Sequence, residues 1–209
     1  MKIDHEFKEA LRNLPQKEKD KLILRLLRKD PMLMKRLYFE LVSTDTVEEA
    51  RSEVEAMVIK KVAYETDSFY SPGYLMMGMR DISGMITDHV KQTKDKYGEI
   101  RLNLVMLTES LNGNLVHIEG FSPSRVSKLC IYIVARTYKI LCLIKSLHDD
   151  YQLDFNEQLM ALGSLISSSD KLMRTSIHHG LDVNWLLMAE IPEDIIEIHK
   201  QIRANGYLR

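Results

Sequence analysis

The sequence predicts an all-α protein: an antiparallel bundle of about four long helices, with a short N-terminal helical hairpin and short C-terminal helices. Three observations predict it. Helix starts are marked repeatedly by a capping Ser, Thr or Asp followed by Pro, or by Glu three positions on. Between these marks the apolar residues recur at three and four. Period-two alternation runs nowhere for long, and "NLVHIEGF" at 114–121 is the one short candidate for an extended segment.

The elements follow in order. The first 42 residues read as two or three short helices, with starts at Pro15 and Asp30-Pro31, and form a basic hairpin over 1–42 packed on a main bundle domain over 43–209. Thr46 with Glu49 opens a helix over about 47–68, whose stripe is Val47, Ala50, Val54 and Met57. Ser71-Pro72 opens a second over about 72–97, with Leu75, Met79, Ile82, Ile86 and His89 on one face. Gly98 is read as a stop, and a shorter helix near 99–111 ends at Asn112-Gly113. Ser122-Pro123 opens a third long helix over about 123–148. Asp154 with Glu157 opens a fourth over about 155–178, closed by Gly180. Two more short helices fill the tail after 181, one of them signalled by Pro192.

Composition narrows the class. Of 209 residues, 45% are hydrophobic and 28% charged, enough apolar side chain to bury a core. The formal net charge of −1 gives no whole-molecule attraction to nucleic acid or anionic membrane. The most apolar stretch, "LCIYIVARTYKILCLI" at 129–144, is shorter than the roughly 20 residues of a membrane span. It also contains Arg136 and Lys139, so it reads as a buried helix. The charged opening "MKIDHEFKEA" predicts no secretory signal. Cys130 and Cys142 lie twelve helical residues apart, about 18 Å along the axis, which is beyond disulfide reach. Two free thiols in an apolar helix predict a reducing, cytoplasmic setting.

Charge is sorted along the chain. Residues 8–36 hold ten Lys/Arg against four acids, net +6, whereas 43–70 hold seven acids against three basics, net −4. Lys17, Lys21, Arg25 and Arg28 recur at four, four and three, forming one basic ridge, with Leu22, Ile23, Leu26 and Leu27 opposite. The ridge suits a phosphate backbone or an acidic helix of this or another copy. "LPQKEKDKLILRLL" resembles the first helix of a sigma-factor-type helix-turn-helix. The resemblance ends at "RKDPMLMKRLYFEL", which lacks the small-residue turn and second short helix, and DNA recognition is not carried over.

Four further readings concern chemistry. "SLHDDYQLDF" puts His148 beside Asp149 at a helix end, which resembles the ligand pair of HD-type phosphohydrolases. "SIHHGLD" supplies His178 and His179 downstream, but the helix start "SPSRV" carries no histidine. No Glu stands three residues before any histidine, so the usual di-metal bundle site is absent from the sequence. No GxxxxGK[ST], GxGxxG or GxSxG motif occurs. His89 and Arg136 both fall on inward stripes, suggesting an interior polar pocket for an anionic ligand. The sequence therefore predicts a non-enzymatic helical protein–protein interaction or adaptor module, self-associating or with a protein partner, without cofactor or membrane. The alternatives are a metal-dependent hydrolase at His148, Asp149, His178 and His179, and nucleic-acid binding through the ridge.

Overall fold

The computed structural model describes residues 4–209, and among these every regular element is a helix. They are α1 (His5–Asn13), α2 (Gln16–Leu27), α3 (Pro31–Leu41), α4 (Val47–Asp67), α5 (Pro72–Thr93), α6 (Lys96–Gly120) and α7 (Pro123–Lys145). Then come α8 (Asp149–Gln152), a 3-10 turn (Leu153–Phe155), α9 (Asn156–Ser167), α10 (Asp170–His178), α11 (Asn184–Leu187) and α12 (Ile195–Ala204). The all-α expectation holds, with four long helices of 21, 22, 25 and 23 residues, α4 to α7. No helix among the described residues is long and apolar enough to cross a membrane.

The starts marked by Asp30, Thr46 and Ser71 form where capping chemistry places them, whereas Asp154 lies within the 3-10 turn and α9 begins without a side-chain cap. Thr46 and Glu49 build a full capping box, Glu49 N–H to Thr46 Oγ1 at 3.1 Å and Thr46 N–H to Glu49 Oε2 at 2.7 Å. Asp30 accepts from the amides of Met32 and Leu33, ahead of Pro31 at the first helical position.

The membership of the long-helix set differs from expectation. The predicted rod over 155–178 is two helices, because Ser167 and Ser168 turn their hydroxyls back to the carbonyls of Ser164 and Leu165. Ser169 then caps α10 by accepting from Leu172 N–H. Conversely, the predicted short helix near 99–111 runs from 96 to 120, straight through Asn112-Gly113 and the segment proposed as extended. The reason is packing. A Cβ on Gly113 would stand 2.7 Å from Thr66 Cγ2, and Asn114 donates to Thr66 Oγ1 at 2.8 Å. That glycine admits α4 against α6 and terminates nothing. Gly98 likewise lies in the first turn of α6, where its amide donates to Asp95.

The core joins α4 to α7 with α9, α10 and the tail around Ile100, Leu107, Val134, Tyr138, Leu162 and Leu186. Each such side chain withdrawn from water contributes roughly 1.5–3 kcal/mol. Nothing in α1, α2 or α3 belongs to this core, since none of their residues is buried. α3 packs on α5, and α2 on α3.

Candidate interaction surface

α2 is an amphipathic helix whose apolar side is only partly covered. Leu22 and Leu27 are half-buried there, whereas Ile23 and Leu26 remain 51% and 52% exposed, and Leu24, 57% exposed, stands next to Lys17 and Arg28 around the helix. Lys17, Lys21, Arg25 and Arg28 are all exposed along the other side. Lys21 pairs with Glu18 one turn away at 2.8 Å. Among the described residues no carboxylate lies within 4.0 Å of Lys17, Arg25 or Arg28, so the acidic helix α4 of the same chain leaves the ridge uncompensated. The ridge is thus displayed to solvent beside apolar side chains that gain by being covered.

A groove of about 780 Å³ opens between α3, α4 and α5. Tyr38, Met57 and Met85 line it, and Asp45, Glu53, Asp81 and Asp88 outnumber Lys35 and Arg80 along its walls. The methionines of the α5 segment divide between two environments: Met76 and Met79 are core, Met77 is exposed and Met85 is half-buried in this groove.

His89 also lines that groove, but its ring is committed elsewhere. Nε2 lies 3.3 Å from Asp95 Oδ2 with both side chains buried. Asp95 also receives a two-pronged bond from Arg51 and the Gly98 amide at 2.8 Å. Burial alone would raise the Asp95 pKa. The hydrogen bonds from His89, Arg51 and Gly98 and the guanidinium charge outweigh it and hold the carboxyl at about 2. Arg51 in turn lies over the Tyr97 ring, 4.9 Å from its centroid. This cluster ties α4, α5 and the start of α6 together, and its charges are matched.

Arg136 lies elsewhere. It is half-buried on α7, over the Tyr132 ring at 5.3 Å, and lines a groove between α5, α7 and α12. His89 and Arg136 therefore border two different cavities and share no interior pocket. Position on the stripe did not distinguish them: His89 finds a carboxylate inside the helix packing, while Arg136 stands at the stripe's edge and reaches outward past Tyr132.

The histidines of the hydrolase alternative are also spread. His148 caps the short helix α8, 73% exposed, with Nδ1 3.3 Å from Asp150 Oδ2, and Asp149 accepts from Gln152 Nε2 at 2.9 Å. His178 is exposed at the end of α10, beside Tyr207. His179 is buried and its Nδ1 accepts from Leu208 N–H at 3.2 Å. Among the described residues no three His, Cys, Asp or Glu side chains are gathered to hold a metal ion. The thiols are free and shielded, Cys130 being pushed up to about 11, chiefly by burial.

One feature escaped the sequence reading. Lys128, Tyr132, Arg136 and Lys139 repeat on α7 the four, four, three spacing of the α2 ridge, and all four line the groove that holds Arg136. The surrounding apolar run masked that stripe. Compared with protein-family models, with curated proteins and with solved structures, the chain gives no match in any of the three.

Proposed function

We propose that this chain is a non-enzymatic helical interaction module that associates with a second copy of itself. The observation that carries the reading is α2, which presents Ile23, Leu24 and Leu26 more than half exposed on a helix whose basic ridge is neutralised, among the described residues, only at Lys21. The groove between α3, α4 and α5 supports the choice of partner, since it offers apolar Tyr38, Met57 and Met85 within a mainly acidic wall. A basic amphipathic helix of about 18 Å has the charge and the apolar side to complement such a groove. In this association α2 of one copy seats in the acidic groove of the other.

Sedimentation equilibrium across protein concentration tests it. The wild-type chain forms dimers that weaken as salt rises, and Leu24→Glu with Leu26→Glu leaves a monomer with an unchanged helical signal. A chain that stays monomeric at every concentration, or dimers indifferent to both substitutions, overturns the reading.

Nucleic-acid binding through the same ridge is a second reading, favoured by the unpaired Lys17, Arg25 and Arg28. Fluorescence anisotropy with a labelled oligonucleotide decides it. Binding must fall steeply with salt and weaken when Lys17, Lys21, Arg25 and Arg28 are changed to Gln. Unchanged affinity in that variant eliminates it.

A further inference from the structure

The groove between α5, α7 and α12 collects positive charge that is only partly compensated. Arg80, Lys128, Arg136, Lys139 and Arg203 line it, together with His199, and among the described residues no Asp or Glu side chain does. Lys139 pairs with Glu99 at 2.6 Å. Among the described residues no carboxylate lies within 4.0 Å of Arg80, Lys128, Arg136 or Arg203. Like charges brought together in a concave site repel one another, and the cost is relieved when an anion enters.

Two guanidinium groups are held in place there. Arg80 from α5 and Arg136 from α7 both lie over the Tyr132 ring, 5.8 and 5.3 Å from its centroid. Tyr132 is itself fixed by donating its hydroxyl to the Met79 carbonyl at 3.2 Å. Stacked guanidinium groups keep their N–H edges available for two-pronged bonds to phosphate oxygens. The tail is fastened as well, with Arg203 Nη1 donating to the Leu208 carbonyl at 3.0 Å.

The groove has room and mixed chemistry. Its volume is about 750 Å³, inside the roughly 300–1,000 Å³ typical of small-molecule sites. Met76, Ile131 and Leu208 give it an apolar part beside the charges. The α2 ridge, by contrast, lies on an exposed helix surface and encloses nothing.

We infer that this groove binds a small molecule bearing two or more linked phosphates, the phosphates on Arg80, Lys128 and Arg136 and any base or other apolar portion against Met76, Ile131 and Leu208. Nucleotides and free polyphosphate share this chemistry. The inference is independent of the self-association proposed above.

Isothermal titration calorimetry of the full chain with ATP, and separately with tripolyphosphate, tests it. At least one of the two binds saturably at one site per chain, and Arg80→Gln or Arg136→Gln weakens that binding about tenfold or more, the loss of a charge-assisted bond. Arg80→Gln is the safer variant for folding, because Arg80 is exposed. Neutralising Lys17 and Arg25 on α2, which lie outside this groove, leaves one saturable site per chain. ATP far tighter than tripolyphosphate identifies a nucleotide site, and equal affinity identifies a polyphosphate site. Absence of saturable binding by both probes up to about 1 mM, the −4 kcal/mol level, overturns the inference. So does ATP binding indifferent to both arginine variants. Binding of a single-stranded oligonucleotide that both variants abolish, with neither small probe bound, overturns it in favour of nucleic acid.

Discussion

Arg51 grips Asp95 with two parallel bonds, Nε to Oδ2 at 2.7 Å and Nη2 to Oδ1 at 3.0 Å, across 44 residues of chain. Asp95 also caps α6 through Gly98 and meets His89, so one carboxylate joins α4, α5 and α6.

That carboxylate makes stability depend on acid. Its pKa falls from 3.8 to about 2 on folding, a difference that stabilises the fold by about 2 kcal/mol wherever the group is ionised. A depressed acid contributes fully above its unfolded value, so this share is present above pH 3.8 and is lost as the pH drops through about 2. Denaturant unfolding between pH 5 and pH 2, read by circular dichroism, shows this slope in the wild type. Asp95→Asn is less stable at neutral pH and lacks that part of the slope. A variant with the wild-type slope refutes the assignment.

His179 gives a second pH response, in a different window. Burial, followed by the neighbouring His178, lowers its pKa below 6.5. Its Nδ1 must stay unprotonated to accept the Leu208 amide, in a pocket it shares with His178 and Tyr207. The neutral ring is therefore the stable one in the fold, and the tail contact is complete above 6.5 and weakens as pH falls below it. Hydrogen exchange at Leu208, corrected for intrinsic rate, accelerates on acidification through that range. His179→Gln keeps an acceptor oxygen that does not titrate, and removes the acceleration. Equal acceleration in both proteins places the effect elsewhere.

Two helical glycines, Gly163 in α9 and Gly84 in α5, predict opposite outcomes. Gly163 faces α11, where a Cβ would stand 2.8 Å from Leu186 Cβ and 3.0 Å from the Leu187 amide nitrogen. The obstructing backbone cannot swing aside, so Gly163→Ala costs about 1–3 kcal/mol. At Gly84 no atom lies within 4 Å of the added Cβ. Gly84→Ala is stabilising by about 0.5–1 kcal/mol, because alanine loses less backbone freedom in a helix. Thermal melts of the two variants separate them; shifts of the same sign contradict the packing described here.

Local chemistry was legible wherever it acts within a few residues. The capping box at Thr46 and Glu49, the Ser71-Pro72 start and the Asp30 cap form where expected, because each involves neighbours in the chain. The stripes of α5 and α7 were equally readable, whereas on α4 the expected line of Val47, Ala50, Val54 and Met57 leaves Met57 45% exposed and the buried residues are Val58 and Val62. Gly113 was misread because its reason is Thr66, 47 positions away, and one residue type serves both turns and close helix contacts. Ser167-Ser168-Ser169 carried the break between α9 and α10, hidden by an apolar stripe that continues on both sides. The ridge on α2 was legible because its four basic residues recur at four, four and three along one side, with Leu24 the apolar residue beside them. The basic face of α7 was not, because Lys128, Arg136 and Lys139 are embedded among core residues. Which cavity His89 and Arg136 face depends on the neighbours of α5 and α7, and no spacing within one helix encodes that.

Arg80 borders both the acidic groove against α3 and α4 and the basic groove against α7. An anion that draws this guanidinium into the basic groove also takes a positive charge off the acidic wall, and whatever coupling that creates between the two grooves is the same factor in both directions.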